Sequence, residues 1–207
     1  NELERLVQPE KVQPTTIEIV DIAGLVKGAS KGEGLGNKFL ANIRETDAII
    51  HVLSCFENDN IVHVDGLVDP IRDKETIDIE LQLKDLEAVD KKLQKYEKLS
   101  RTGDKDSRKV VDVLAKYKTH LEQGKSVRSI DLEDKEKEHV DDLMLLTDKP
   151  IMYVCNVDEA SIKNGNPHVD RVKKIIKDED ASVLMIAAST EADITELESY
   201  EERQMFL

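Results

Sequence analysis

Two short motifs carry residues suited to nucleotide chemistry, and the first is Asp21-Ile-Ala-Gly24, which follows the apolar run at residues 16–20. A carboxylate at a strand end could hold Mg²⁺ through a bound water, because magnesium keeps several waters and takes few protein carboxylates. Gly24 has no side chain, so its backbone N–H could approach the terminal phosphate of a nucleotide. The motif therefore predicts a magnesium and phosphate site, with an ordinary turn after a strand as the alternative.

The second motif, Asn156-Val-Asp-Glu159, follows another apolar run at residues 151–155. Guanine-binding domains place an Asp at the fourth position, where it accepts two hydrogen bonds from the base. Glu159 is one methylene longer, which favours adenine, and Val157 could cover the base with an apolar side chain. The alternative is an Asx turn in which the Asn and Asp residues cap the following helix.

Three further residues complete the predicted site. Ala188 and Ser189 end the last predicted strand, where backbone N–H groups could contact the base. Leu25 follows Gly24 at the position where Ras-type GTPases carry the Gln that orients the attacking water. Since leucine cannot do this, we assign no catalytic residue, and hydrolysis would need another group, a potassium-like cation or a partner.

The elements that would position these motifs alternate between strands and helices. Predicted strands cover residues 15–20, 48–53, 151–155 and 183–188, and predicted helices include 37–45 and 169–177. This order predicts an α/β fold with a mostly parallel sheet. Ligands of such sheets bind beyond the carboxyl ends of the strands, where both motifs lie.

A heptad-like pattern interrupts this order and predicts an inserted antiparallel helical hairpin with a coiled-coil seam. The Thr102-Gly-Asp104 turn separates its two halves, and residues 131–146 predict a further acidic helix. The predicted seam residues are Ile79, Leu83, Leu86, Val89, Leu93 and Tyr96, then Val110, Leu114, Tyr117 and Leu121. We accordingly divide the chain into residues 1–72, 73–147 and 148–207, with the insertion in the middle.

Composition limits the choice of partners. The 207 residues carry a formal net charge of −14, which repels phosphate backbones and predicts no direct binding to nucleic acid, although a local basic patch could still exist. No apolar run approaches the ~20 residues of a membrane span, so we expect no membrane partner. Cys55 and Cys155 end apolar runs and are expected to be buried free thiols in a reducing cytosol.

Residues 21–40 strongly resemble the switch II segment of Obg-related GTPases. The continuation at residues 41–52, together with residues 156–159 and the hairpin, is similar to the YchF-type Obg-like ATPases. The resemblance implies a P-loop NTPase (G-domain) fold, a preference for ATP over GTP, Mg²⁺ as cofactor and a cytoplasmic location. It also implies hydrolysis of ATP to ADP and phosphate and ties to ribosomes or stress responses. The family's adenine contacts correspond to Asn156, Val157 and Glu159, and its apolar residue in place of Gln corresponds to Leu25.

Three family features are not in the 207 residues: the Gly-x-x-x-x-Gly-Lys-Ser/Thr loop, the switch I Thr and the C-terminal TGS domain. We therefore expect the sequence to be an internal piece that is inactive alone, and we assign the activity to the parent protein. Two alternatives stay open. One is a GTPase of the Obg family, and the other is a coiled-coil interaction module whose nucleotide site is inactive.

Overall fold

A computed structural model of the chain describes residues 2–8, 10–11, 13, 15–22, 35–58, 67–197 and 199–206. Gly24 and Leu25, to which the sequence assigned a phosphate contact and the place of the missing Gln, lie outside the described residues.

Three parallel strands form the sheet of the described residues. They are β1 (Ile49–Ser54), β2 (Ile151–Asn156) and β3 (Ala181–Ile186), in the order β1-β2-β3. Ile49 lies opposite Ile151, which lies opposite Ala181. These strands lie close to the predicted apolar runs, except that β3 begins at Ala181 and ends at Ile186, each two residues earlier than expected.

Helices cover one face of this sheet. The face carries α6 (Pro167–Ile175) and the start of α3 (Pro70–Ser100). We call the buried residues between them the sheet core: Leu53, Cys55, Ile151, Tyr153, Cys155, Val157, Val169, Val172 and Ile176. On the other face Ile50, Val52 and Leu184 are each about half exposed, which is unusual for a parallel sheet.

The strand predicted at residues 15–20 is wrong. This segment has no strand or helix structure, and Ile17 and Ile19 are 81% and 77% exposed. Alternating apolar residues favour a strand, but a strand exists only where its backbone groups bond to a neighbouring strand. Within the described part of the chain no such neighbour pairs with this segment. Asp21 therefore follows an exposed extended segment rather than a strand.

Two long helices project from the sheet domain: α3, with 31 residues, and α4 (Lys105–Glu122). They are joined at residues 101–104, where Gly103 has a φ of 93° and Asp104 caps α4. We call α3 and α4 the helix pair. Its core includes Val89, Leu93, Val110, Val113, Leu114, Tyr117 and Leu121. That it forms a coiled coil and is an insertion stays a prediction.

The first half of the predicted seam on α3 is wrong. Ile79 and Leu83 are 53% and 45% exposed, whereas Leu81 is 2% exposed. Leu81 packs against Leu146 and against two residues of α2 (Leu35–Glu45), with which it forms a separate cluster. Heptad spacing predicted the face that would meet α4, but this half of α3 contacts other parts of the fold.

The single helix predicted at residues 131–146 is also wrong. Only α5 (Asp134–Lys137) is α-helical there, followed by 3₁₀ turns at Asp141–Leu143 and Leu146–Asp148. Met144 has a φ of 46°, which is incompatible with a continuous right-handed helix. The carboxylate of Asp85 on α3 accepts hydrogen bonds from the backbone N–H groups of residues 146 and 147.

Three short helices lie near the ends of the chain: α1 (Glu2–Val7), α7 (Ala188–Thr195) and α8 (Tyr200–Phe206). Among the described residues, no helix is both long enough and apolar enough to cross a bilayer.

Candidate nucleotide-binding site

The carboxyl ends of the three strands meet at one edge of the sheet. Since the strands are parallel and in register, Cys55, Asn156 and Ala187 each follow or end a strand at this edge. Sheets of this kind bind their ligands there. The edge therefore collects the second motif and the residues after β3 as the sequence predicted.

Asn156 connects all three strand ends. Its side-chain Oδ1 accepts a hydrogen bond from the N–H of Ala188 at 3.0 Å. Its carbonyl oxygen accepts one from the N–H of Cys55 at 2.8 Å. The Asn156 side chain therefore does not cap the following helical turn, as the Asx-turn alternative required. Its Nδ2 donates to no group in the described part of the protein, so it is free to contact a ligand.

Asp158 performs the capping role instead. Its Oδ1 accepts the N–H of Ser161 at 2.8 Å and begins the 3₁₀ turn Glu159–Ser161. Glu159 is exposed, and its carboxylate forms no ion pair with any described residue. The two acidic residues thus have separate tasks, and the carboxylate of Glu159 is left available to a ligand at the strand ends.

Val157 does not have the position expected of a residue that covers the base. Its side chain is 2% exposed and belongs to the sheet core, and its N–H donates to the carbonyl of Ile186 at 2.8 Å. Successive residues at a strand end point to opposite sides, which directs this side chain inward. We therefore interpret Val157 as support beneath the site.

Ala188 and Ser189 are the first two residues of helix α7, not the end of a strand as predicted. Ala187 precedes them and offers no side-chain cap to the helix. The first N–H groups of a helix have no intrahelical partner, so an uncapped start presents free donors. One of these N–H groups, that of Ala188, is held by Asn156. Ser189 follows it at the same edge.

Asn166 is a residue that the sequence analysis missed. Its Nδ2 donates to the carbonyl of Cys55 at 2.6 Å, and its Oδ1 accepts the N–H groups of His168 and Val169 at 3.1 Å each. It thereby joins the end of β1 to the start of α6. An Asn before Pro167 is a helix-start signal, so its capping role was predictable, but its bond to a residue 111 positions away was not.

Cys55 and Cys155 are both buried free thiols, as predicted. A hydrogen bond with Cys155, together with burial, raises the pKa of the Cys55 thiol. This thiol therefore stays neutral at physiological pH. The pair packs beneath the site as part of the sheet core.

The predicted magnesium ligand, Asp21, is exposed and forms no ion pair within the described residues. Among those residues no group of three or more His, Cys, Asp or Glu could hold a metal. One free carboxylate fits Mg²⁺ held mainly by water and phosphate oxygens. It does not fit a metal held by protein ligands alone.

A family model described as a 50S ribosome-binding GTPase matches residues 4–116. The chain belongs to the 50S ribosome-binding GTPase family. Its P-loop GTPase-like fold with a parallel sheet is thereby confirmed.

Two relatives of the chain are named as ribosome-binding ATPases. "Ribosome-binding ATPase YchF" of Haemophilus ducreyi is 51% identical over 205 residues, which is 99% of this chain and 56% of the relative. The protein of the same name in Bacillus subtilis is 48% identical over 207 residues, again 56% of its length. The resemblance to YchF-type ATPases is therefore confirmed.

A solved structure agrees. The YchF GTPase of Schizosaccharomyces pombe matches with a TM-score of 0.79 and 33% identity, and the match covers 99% of this chain and 56% of that one. This member of the 50S ribosome-binding GTPase family thus spans a little over half the length of the relatives that it matches. Their names give both ATPase and GTPase.

Proposed function

We propose that the whole protein containing this chain binds ATP in preference to GTP and hydrolyses it to ADP and phosphate. The observation that carries the proposal is the bond from the Ala188 N–H to Asn156 Oδ1, with Glu159 unpaired beside it. An Asn fixed at the strand ends next to a free carboxylate is an arrangement suited to reading a base.

The roles of the base-reading residues follow from their free groups. Asn156 Nδ2 can donate to a ring nitrogen of the base, and the N–H of Ser189 offers a backbone donor. The Glu159 carboxylate can accept from the exocyclic amino group of adenine. Guanine presents two adjacent donors to a shorter Asp at this position, and the longer Glu159 side chain places its oxygens differently.

At the phosphate end we assign Asp21 to Mg²⁺ through a bound water and the Gly24 N–H to the terminal phosphate. Magnesium would supply positive charge that offsets the charge of the phosphates. Leu25 cannot orient water, so we assign no catalytic residue in this chain. We keep the division into residues 1–72 and 148–207 as nucleotide-binding parts and 73–147 as the helical insertion.

We further propose that the whole protein associates with the ribosome and works in the cytoplasm. The support is the name of its relatives, ribosome-binding ATPase. A second candidate is an interaction module built on the helix pair, which is favoured by a buried core to which α3 and α4 contribute seven residues. In that case the helix pair would capture its partner without nucleotide.

Calorimetric titration of the whole protein with ATP and with GTP, each with Mg²⁺ and then with EDTA, tests the proposal. We expect tighter binding of ATP, weakened by EDTA. Tighter binding of GTP would retain the fold and contradict the base assignment. If neither nucleotide binds while ribosomes still co-sediment with the protein, the interaction module is the better account.

A further inference from the structure

The free end of the helix pair has a charge opposite to that of the rest of the chain. Residues 91–109 contain eight Lys or Arg and three Asp or Glu, a net charge of +5. The whole chain has −14, so the other 188 residues carry −19. We call residues 91–109 the basic tip. They comprise the last turns of α3, the connecting turn and the first turn of α4.

Five of these basic side chains have no acidic partner. Lys91 pairs with Glu87, Lys92 with Asp142 and, weakly, Lys109 with Asp106 at 3.6 Å. The remaining five are exposed and make no ion pair with any residue that the structure describes: Lys95, Lys98, Arg101, Lys105 and Arg108.

The acidic residues of the basic tip do not neutralise these five. Asp104 is occupied at the start of α4, where it accepts the N–H of Asp106 and the hydroxyl of Ser107. These bonds hold the pKa of Asp104 below its ordinary value. A helix rises about 1.5 Å per residue, so all five free cations lie within about 10 Å of the turn along the helix axes.

We propose that the basic tip binds the phosphate backbone of RNA, which rests on the ribosome association proposed above. Arg101 and Arg108 provide planar forks that match phosphate oxygens, and the three lysines provide point charges. The acidic remainder of the chain would be repelled by the same backbone. It therefore orients the molecule with the basic tip toward the RNA.

The basic tip could instead bind an acidic protein surface. The small number of exposed apolar residues on the basic tip argues against such a protein partner. Protein interfaces depend on buried aromatic or aliphatic anchors. The large exposed hydrophobic residue of the basic tip is Leu99, at 42% exposure. The aromatic ring of Tyr96 is flanked by Lys92 and Lys95, each 5.7 Å from its centroid. Binding dominated by free cations, without such anchors, is typical of phosphate contacts.

The direct test measures binding of a labelled RNA duplex of about 20 base pairs to the whole protein by fluorescence anisotropy over a range of KCl concentrations. The tip variant changes Lys95, Lys98, Arg101, Lys105 and Arg108 to Gln. The control variant makes the same change at five other exposed lysines: Lys125, Lys135, Lys173, Lys174 and Lys177. Both variants lose five positive charges, and thermal unfolding verifies that both are folded.

We expect the tip variant to bind RNA about tenfold or more weakly, with a salt slope smaller by roughly 0.9 for each phosphate that the variant no longer neutralises. The control variant should lose much less affinity. Equal losses in both variants, or unchanged RNA binding by the tip variant, overturn the proposal. Lost co-sedimentation with ribosomes despite unchanged duplex binding would indicate an acidic protein occupant. Titration of both variants with ATP separates this outcome from a failure of the nucleotide site.

Discussion

Asn156 and Ala188, 32 residues apart, are joined by a hydrogen bond of 3.0 Å from the backbone N–H of Ala188 to Oδ1 of Asn156. The bond connects the end of β2 to the first residue of α7 and fixes both segments at the carboxyl ends of the strands. It also decides which atoms remain for a ligand, because Oδ1 is occupied and Nδ2 is free.

Changing Asn156 to Ala should weaken ATP binding by the whole protein about fivefold or more. The change removes one hydrogen bond within the site, worth about 1 kcal/mol, and the free Nδ2 donor. Calorimetry measures the affinity. Asn164→Ala is the matched control, since Asn164 is an exposed Asn in the following loop. Equal affinity in both variants would remove Asn156 from the site.

Shortening Glu159 to Asp should raise the ratio of GTP to ATP affinity by about tenfold, because a shorter carboxylate can accept two hydrogen bonds from guanine. Glu159→Gln keeps the length of the side chain without its charge and should not gain affinity for GTP. Val157 should be left unchanged, since a Lys at this 2% exposed position would bury an unpaired charge. An unaltered nucleotide ratio for Glu159→Asp would mean that the base is recognised elsewhere.

Changing Asp85 to Ala should cause a large loss of stability. Its carboxylate is fully buried and accepts three hydrogen bonds: from the Leu146 N–H at 2.8 Å and from the Thr147 N–H and hydroxyl at 2.7 Å each. The variant would leave buried donors unsatisfied, at a cost of about 2–4 kcal/mol in the free energy of unfolding. Urea unfolding measures it.

The matched control for Asp85 is Asp90→Ala on the same helix. Asp90 forms a partly exposed ion pair with Lys118 at 2.8 Å, which should contribute no more than about 1 kcal/mol. Similar losses in the two variants would show that the buried hydrogen bonds of Asp85 do not hold residues 146–147 against α3.

Two neighbouring leucines on α3 test which face of the helix is packed. Leu81→Ala should lower the free energy of unfolding by about 2–5 kcal/mol, since it leaves a cavity among α2 and Leu146. Leu83→Ala should change it by about 0.5 kcal/mol, because Leu83 is largely outside the core. Chemical unfolding of both variants decides the matter. The reverse order would restore the heptad seam predicted from the sequence.

The burial of His51 predicts that the protein loses stability on mild acidification. Burial lowers its pKa below the ordinary 6.5, and Lys74 acts in the same direction, while Asp78, Asp73 and Glu179 oppose it. The unfolded chain therefore binds a proton that the folded chain does not. The stability that neutral His51 contributes is fully present well above pH 6.5. It is lost as the pH falls from about 6.5 toward the pKa of His51 in the folded protein.

Urea midpoints measured from about pH 8 to about pH 5.5 test this dependence. His51→Gln should flatten the decline, although burial lowers the pKa of His120 as well and leaves part of the slope. His139→Gln serves as the control, since His139 makes no ring contact in the described structure. An unchanged slope in His51→Gln would contradict the assignment.

The parts of the fold that the sequence predicted correctly depend on local patterns. Continuous apolar runs located β1, β2 and β3, because such runs are typical of parallel strands, even though one face of this sheet is about half exposed. The segment at residues 15–20 has a similar pattern, yet it is not a strand. Whether a segment pairs depends on its neighbours, which a local pattern does not contain.

The candidate site shows the same limit. The sequence placed Asn156 and Ala188 at the carboxyl ends of two parallel strands, but it did not predict the hydrogen bond that joins them. The cover expected from Val157 did not follow, because its direction depends on where the strand ends. Asp85 and Asn166 were missed since their partners lie 61 and 111 positions away along the chain.

The anchoring of α3 by Asp85 has a mechanical consequence. Ser100 lies 15 residues beyond Asp85 on the same helix, or about 22 Å along its axis. A tilt of about 10° around this anchor would move the end of α3 by about 4 Å. Only three residues separate Thr147 from the first residue of β2, which ends at Asn156. This anchor lies near the amino end of β2, at the edge of the sheet opposite the candidate site, so a small rotation of α3 there would be amplified into a displacement of about 4 Å at the far end of the helix pair.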